Sequence, residues 1–195
     1  DEIRRMVAFV RRLPRMTPAQ YRSLTEEAPA APLAGVSDAT LRTCTGCHGA
    51  DGRGRGADDV PVLGGQQPAY LLAALRGYAS GDRQSAVMRQ VAVMLSDAEM
   101  QALARHFAAM PGLRPLSAGQ GTAPRLVYQG LPEKELPACR SCHKPGGRAP
   151  AIEGQKAGYI ADRLRHWQGE EVEVDARQSQ ATMPVIARRI PKEMI

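Results

Sequence analysis

The stretch Cys44-Thr45-Gly46-Cys47-His48 decides the reading of this chain, and it recurs as Cys139-Arg140-Ser141-Cys142-His143. Two thiols three positions apart can add to the two vinyl groups of one haem, and the adjacent histidine then reaches the iron, so Cys-x-x-Cys-His reads as a c-type haem attachment site. The two copies use up all 4 cysteines of the 195-residue chain. A zinc site would need two further Cys or His ligands close by, and neither copy has them. A redox dithiol of the thioredoxin kind would need a βαβ context, and no β-rich run precedes either motif. The cofactor expected is haem c, two covalently bound, with Cys44, Cys47, Cys139 and Cys142 holding the porphyrins and His48 and His143 on the irons.

Haem iron takes a sixth ligand, and a methionine sulfur is the usual choice where the task is electron transfer. Met88 and Met183 each stand forty residues beyond their histidine. Methionine is a common core filler, but a matched offset in two copies singles these two out as metal ligands. Met94, Met100 and Met110 are the rivals. Met100 and Met110 are expected in the core of a closing helix, and at the place matching Met94 the second copy has Arg189. His106 and His166 are the spare histidines; each falls in a predicted helix and reads as a surface or core residue.

A longer frame repeats in the same order. Pro61-Val62-Leu63-Gly64-Gly65-Gln66-Gln67-Pro68-Ala69-Tyr70 matches Pro150-Ala151-Ile152-Glu153-Gly154-Gln155-Lys156-Ala157-Gly158-Tyr159, a Pro-x-aliphatic-x-Gly-Gln-x-x-x-Tyr pattern. The first frame lies six residues later relative to its haem motif, and the second copy recovers the six between Tyr159 and Met183. Loops absorb the length change while the ligand positions keep register.

With these parts in this order, the chain resembles the two-domain di-haem cytochromes c of the bacterial c4 group over about residues 37–195. The resemblance implies an all-α fold of two tandem small cytochrome c domains, each wrapped around one covalent haem. It also implies that Pro61 and Pro150 offer their carbonyls to the free ring nitrogens of His48 and His143, a bond that orients the ring and tunes the iron. The expected division is a helical segment at 1–25, a linker at 26–36, domain 1 at 37–112, a Gly- and Pro-rich linker at 113–124 and domain 2 at 125–195. Haem attachment follows export in bacteria, so the implied location is periplasmic.

Composition agrees. Each half is small for a self-sufficient core, and aromatic residues make up only 4% of the chain; a porphyrin can stand in for them. Lys and Arg exceed Asp and Glu by six, with a pI near 9.5. No nucleic-acid motif accompanies that charge, and haem propionates offset much of it, so steering of an acidic redox partner is the better use. No run of eighteen apolar residues exists, so these residues carry no transmembrane segment; membrane association would come through a partner or a further segment.

In order along the chain, Ile3, Met6, Val7, Val10 and Leu13 form one helical stripe that Pro14 stops. Thr17-Pro18-Ala19-Gln20 carries a capping-box pattern with Pro at the first helical position, opening a short second helix. Ser37 reads as the N-cap of a helix leading into Cys44, and Gly49 to Gly56 as a loop around the haem edge rather than a phosphate cradle, because it lacks the Lys-Ser/Thr ending of a P-loop. Helices are expected over Ala69 to Ser80 and Tyr159 to Trp167. A capping box at Ser96-Asp97-Ala98-Glu99 opens another through Met110, whereas Pro137 shortens any helix before Cys139.

The ligands set the expected function. His/Met iron has no open position for substrate, so the chain reads as an electron carrier, not an enzyme. Its partners would be redox proteins, whether a dehydrogenase, an oxidase or another respiratory complex. A di-haem peroxidase is the alternative and needs one iron able to open. A haem-based sensor would need a signalling domain. At the ends, residues 1–14 align with 98–111, placing Met6 on Leu103, Val10 on Phe107, Leu13 on Met110 and Pro14 on Pro111. The expectation is a piece of a longer tri-haem cytochrome, with a basic amphipathic helix on a membrane or partner, or packing of helix 1–13 into the second domain, as the other readings.

Overall fold

A computed structural model of the chain describes residues 2–25, 31–55, 58–113, 125–144, 149–169 and 182–195. It divides into two units, Asp1–Ala31 and Pro32–Ile195. In the first unit α1 (Glu2–Arg12) passes into a 3-10 turn at Leu13–Arg15, where Pro14 ends regular helix. Helix α2 (Pro18–Thr25) opens with reciprocal capping: Thr17 N donates to Gln20 Oε1 at 2.9 Å and Gln20 N to Thr17 Oγ1 at 3.2 Å. Ile3, Val7 and Val10 are exposed.

The second unit is all-α, and among its described residues the only strand-like pairing is the isolated bridge between Leu131 and Leu136. Its first half contains α3 (Asp38–His48), α4 (Pro68–Ser80), α5 (Ala86–Ala92) and α6 (Asp97–Ala108). Each start is dictated locally. Ser37, Ser85 and Ser96 accept from backbone N–H groups of α3, α5 and α6, and Ser96 with Glu99 completes a capping box; Pro68 takes the first position of α4. Helix α6 buries Met100, Leu103, Ala104 and Phe107, the i, i+3, i+4, i+7 stripe of an amphipathic helix, and packs chiefly on α4. Burying each of the larger side chains is worth about 1.5–3 kcal/mol. At the exposed edge of that contact Arg76 of α4 forms a forked pair with Asp97 of α6, at 2.7 and 2.9 Å.

The second half is sparser. Helix α7 (Arg125–Gln129) and two 3-10 turns lead through the haem motif to α8 (Ala157–Gly169) and α9 (Thr182–Arg188). Leu126, Leu131, Leu136 and Ile190 form its core, with Cys139, Leu164, Ile186 and Ile195 packed against it. The expected closing helix through Met110 ends two residues earlier, at Ala108, and Met110 lies in the turn that follows. The helices around the two candidate methionines, α5 and α9, were not expected; at seven residues each they are too short for periodicity to show.

Candidate haem sites

The first motif forms the last turn and a half of α3. Gly49, at φ 77°, breaks the helix directly after His48, in a backbone region that other residues avoid. The chain then folds back on the motif: Gly54 N donates to His48 O and Arg55 N to Cys47 O, both at 2.8 Å. The second motif is not helical. Pro137 removes a helix donor two residues upstream, so Cys139–Ser141 is a 3-10 turn, and a bond from His143 N to Cys139 O at 3.0 Å closes the motif as one isolated turn.

Both histidine rings are anchored on a proline carbonyl. His48 Nδ1 lies 3.3 Å from Pro61 O and His143 Nδ1 lies 2.7 Å from Pro150 O. A carbonyl only accepts, so Nδ1 carries the proton and Nε2 keeps its lone pair for a metal. Burial pushes His48 below the ordinary imidazole range; the Pro61 carbonyl works against that and the Lys156 cation adds to it. The neutral ring is the ligating form. Burial also pushes the Cys44 thiol up to about 11, and the Cys139 thiol upward. Among the described residues no three His, Cys, Asp or Glu side chains converge as a metal site. The donor set fits covalent haem: two thiols and an imidazole with a free Nε2 in one turn, twice.

Met88 is the third residue of α5 and Met183 the second of α9, both half-buried, and Met88 N donates to the Ser85 cap at 3.3 Å. Of their rivals, Met94 is 84% exposed and Met100 is in the core. His106 lies in α6 with its ring 5.3 Å from that of Phe107, and His166 lies in α8. No described helix is long and apolar enough to cross a membrane.

Three residues at the centre of the second unit had no role assigned from sequence. Gly81, at φ 89°, ends α4 and turns the chain so that Arg83 reaches back. Its guanidinium donates to Tyr78 at 2.8 Å, Tyr70 at 3.1 Å and Tyr159 at 2.9 Å, the last from the other half. Burial works against the Arg83 charge, and the three phenols, Tyr70 foremost, more than offset it; burial and the neighbouring Tyr70 push Tyr159 up to about 12. Gln66 and Gln155, quoted above as part of the repeated frame, cross between the halves. A sequence signal existed for them in the repetition of Gly-Gln. For Arg83 there was none, because nothing marks a lone loop arginine.

The cytochrome c family model matches residues 37–110. The thiosulfate dehydrogenase electron acceptor of Thiomonas intermedia is 38% identical over 135 residues, 64% of this chain and 62% of that protein. Cytochrome c4 of Pseudomonas aeruginosa is 34% identical over 154 residues, 72% of this chain and 74% of that protein. The structure of cytochrome c4 from Acidithiobacillus ferrooxidans superposes with a TM-score of 0.63 at 30% identity, covering 77% of this chain and 91% of that one. The chain therefore spans about three fifths of the first of these relatives and about three quarters of the second. With two haem-attachment turns on an all-α frame and relatives of this kind, the chain belongs to the c4-like family of di-haem cytochromes c.

Proposed function

We propose that this chain is an electron carrier that passes single electrons through two His/Met haems, with His48 and Met88 on one iron and His143 and Met183 on the other. Haem so held has no open coordination position and exchanges one electron between ferric and ferrous states. The chain's own residues supply the rest: four thiols for attachment, two rings held by the carbonyls of Pro61 and Pro150, and two sulfurs that raise the potential. The observation that carries the reading is the repetition of the whole set, attachment turn, tethered ring and short Met-bearing helix, in one order, with histidine and methionine at a matched offset. Residues 37–112 and 125–195 are the two cytochrome domains, and residues 1–25 a helical segment resembling the end of a further one. The partner is a periplasmic dehydrogenase, and the name of the Thiomonas relative makes thiosulfate dehydrogenase the first to try. The six-charge excess of Lys and Arg favours an acidic docking face.

The ligand set is tested by substitution. Met88→His should retain both haems and lower the potential of one centre, since imidazole favours ferric iron relative to a thioether, and Met183→His should do the same to the other. If Met94→Leu or Met110→Leu abolishes a methionine-to-iron charge-transfer band that survives Met88→Leu, the assignment is wrong. Rapid carbon monoxide binding by the untreated reduced protein would sink the electron-carrier reading.

A further inference from the structure

The two repeated frames grip each other across the middle of the second unit. Gln155 Oε1 accepts from Val62 N at 2.8 Å while Gln155 Nε2 donates to Val62 O at 3.0 Å. Gln66 treats Ala151 in the same way, accepting from its N and donating to its O, both at 3.0 Å. Val62 and Ala151 hold one place in the frame, and Gln66 and Gln155 hold another, so the contact is a reciprocal pair of two-point clasps. Gln67 Nε2 to Ala149 O at 3.1 Å and Lys156 Nζ to Gly54 O at 3.3 Å flank it.

The clasped amides are those that matter to the iron ligands. The N–H of Val62 and the C=O of Pro61 belong to one peptide group, and that carbonyl accepts from His48 Nδ1. The N–H of Ala151 and the C=O of Pro150 likewise form one peptide group, and its carbonyl accepts from His143 Nδ1. An amide that donates through N–H has a more negative oxygen, so hydrogen bonds in series strengthen one another, by about 10–30% per bond. A stronger acceptor at Nδ1 makes the imidazole a more basic ligand through Nε2. We propose that Gln155 and Gln66 are positioning residues for the opposite half: Gln155 tunes His48 through the Pro61–Val62 peptide, and Gln66 tunes His143 through the Pro150–Ala151 peptide. One electron converts ferric to ferrous iron at each centre with no proton transferred, and the more basic histidine favours the ferric side. Each centre's potential is thus set partly by a side chain of the other half, and the shorter His143 bond makes the Gln66 effect the larger one.

The test uses Gln155→Met and Gln66→Met in the full di-haem chain, both nearly isosteric and both lacking the amide. A haemochrome assay first establishes two haems per chain, which keeps failure of the haem reading apart from failure of this one. In the ferrous, diamagnetic protein each ligand Nδ1–H is a separate proton resonance. Gln155→Met should move the His48 proton upfield and leave that of His143 in place, and Gln66→Met should do the converse. The affected centre should become easier to reduce by about threefold, about 28 mV at 59 mV per tenfold for one electron. A change confined to the half that carries the substitution, an equal change at both centres, or no change at either overturns the proposal. Should the methionine variants not fold with both haems, Gln155→Glu and Gln66→Glu keep an acceptor at the same reach and make it stronger. The opposite half's proton should then move downfield and its potential fall, again without an equal change at the other centre; failure of that crossed pattern is equally decisive.

Discussion

Position 64 in the first half and position 153 in the second hold the same place in the repeated frame, and they show how one plan is stabilised in two ways. At Gly64 the chain leaving α6 returns over the frame: Leu113 N donates to Gly64 O at 2.7 Å, and a Cβ on Gly64 would lie 2.7 Å from the Pro111 carbonyl oxygen. Glycine is there because another backbone lies against it. At Glu153 no helix equivalent to α6 covers the frame among the described residues, and the side chain, 8% exposed, pairs with Arg140 of the haem motif at 3.1 Å. The motif positions differ in concert. Thr45, at the place of Arg140, is buried in α3 and donates back to Arg42 O at 3.4 Å. The first half is held by a helix and its core, the second by a small leucine cluster and an ion pair.

If α6 is the main support of the first half, Phe107→Ala gives the largest separation between the two. Phe107 is 3% exposed and its ring stands 6.5 Å from that of His48, at 62°. Truncating a buried phenylalanine costs about 3–5 kcal/mol. In urea, followed through the methionine band that the proposed ligation would give each centre, the first centre should lose its band well before the second. Equal loss at both would mean that the halves unfold as one unit and that the contrast has no energetic content.

Gly64→Ala sharpens the same contrast with one methyl group. The new Cβ would meet two backbone atoms of Pro111, the carbonyl oxygen at 2.7 Å and the carbonyl carbon at 3.1 Å, neither of which can rotate away. Overpacking of this kind costs about 1–3 kcal/mol. Calorimetry should show a lowered first transition, while Glu153→Ala at the matching place does much less. A neutral Gly64→Ala would show that the Pro111–Leu113 return is not held against the frame.

Much of this was legible in the sequence because it rests on local chemistry. Ser37, the Ser96–Glu99 box and the Pro137 block act within a few residues, and each places or truncates a helix where expected. The family, the fold and the haem attachment were legible for a second reason, the repetition of Cys-x-x-Cys-His and of the frame. What lay between elements was not legible. Gln155 meets Val62 across 93 residues, and Arg83 meets Tyr159 across 76; no pattern along one chain marks such a pair. Gly64 and Glu153 stood opposite each other in the aligned frames, but their meaning depends on whether a later segment folds over them.

The smallest of the expected effects belongs to the pair itself. Arg140 stands between Glu153 on one side and the Tyr128 ring, 5.5 Å from its guanidinium carbon, on the other, and its side chain is half exposed. A half-exposed ion pair contributes about 1 kcal/mol or less, since solvent screens it and two side chains must be ordered to make it. Glu153→Gln should therefore lower the stability of the second half by about that amount and leave the first unchanged, provided the amide still reaches Arg140. Arg140→Thr, which installs the first half's residue, should cost more because it leaves the buried Glu153 carboxylate unpaired and takes the aromatic contact with it. The double variant settles what holds the turn. A coupling of about 0.5–1 kcal/mol between the two changes, read from the second centre's urea midpoint, means that Glu153 and Arg140 act on each other. Simple additivity would mean that Arg140 steadies the Cys139–Ser141 turn through Tyr128 alone, and that the carboxylate fills space which no described helix covers.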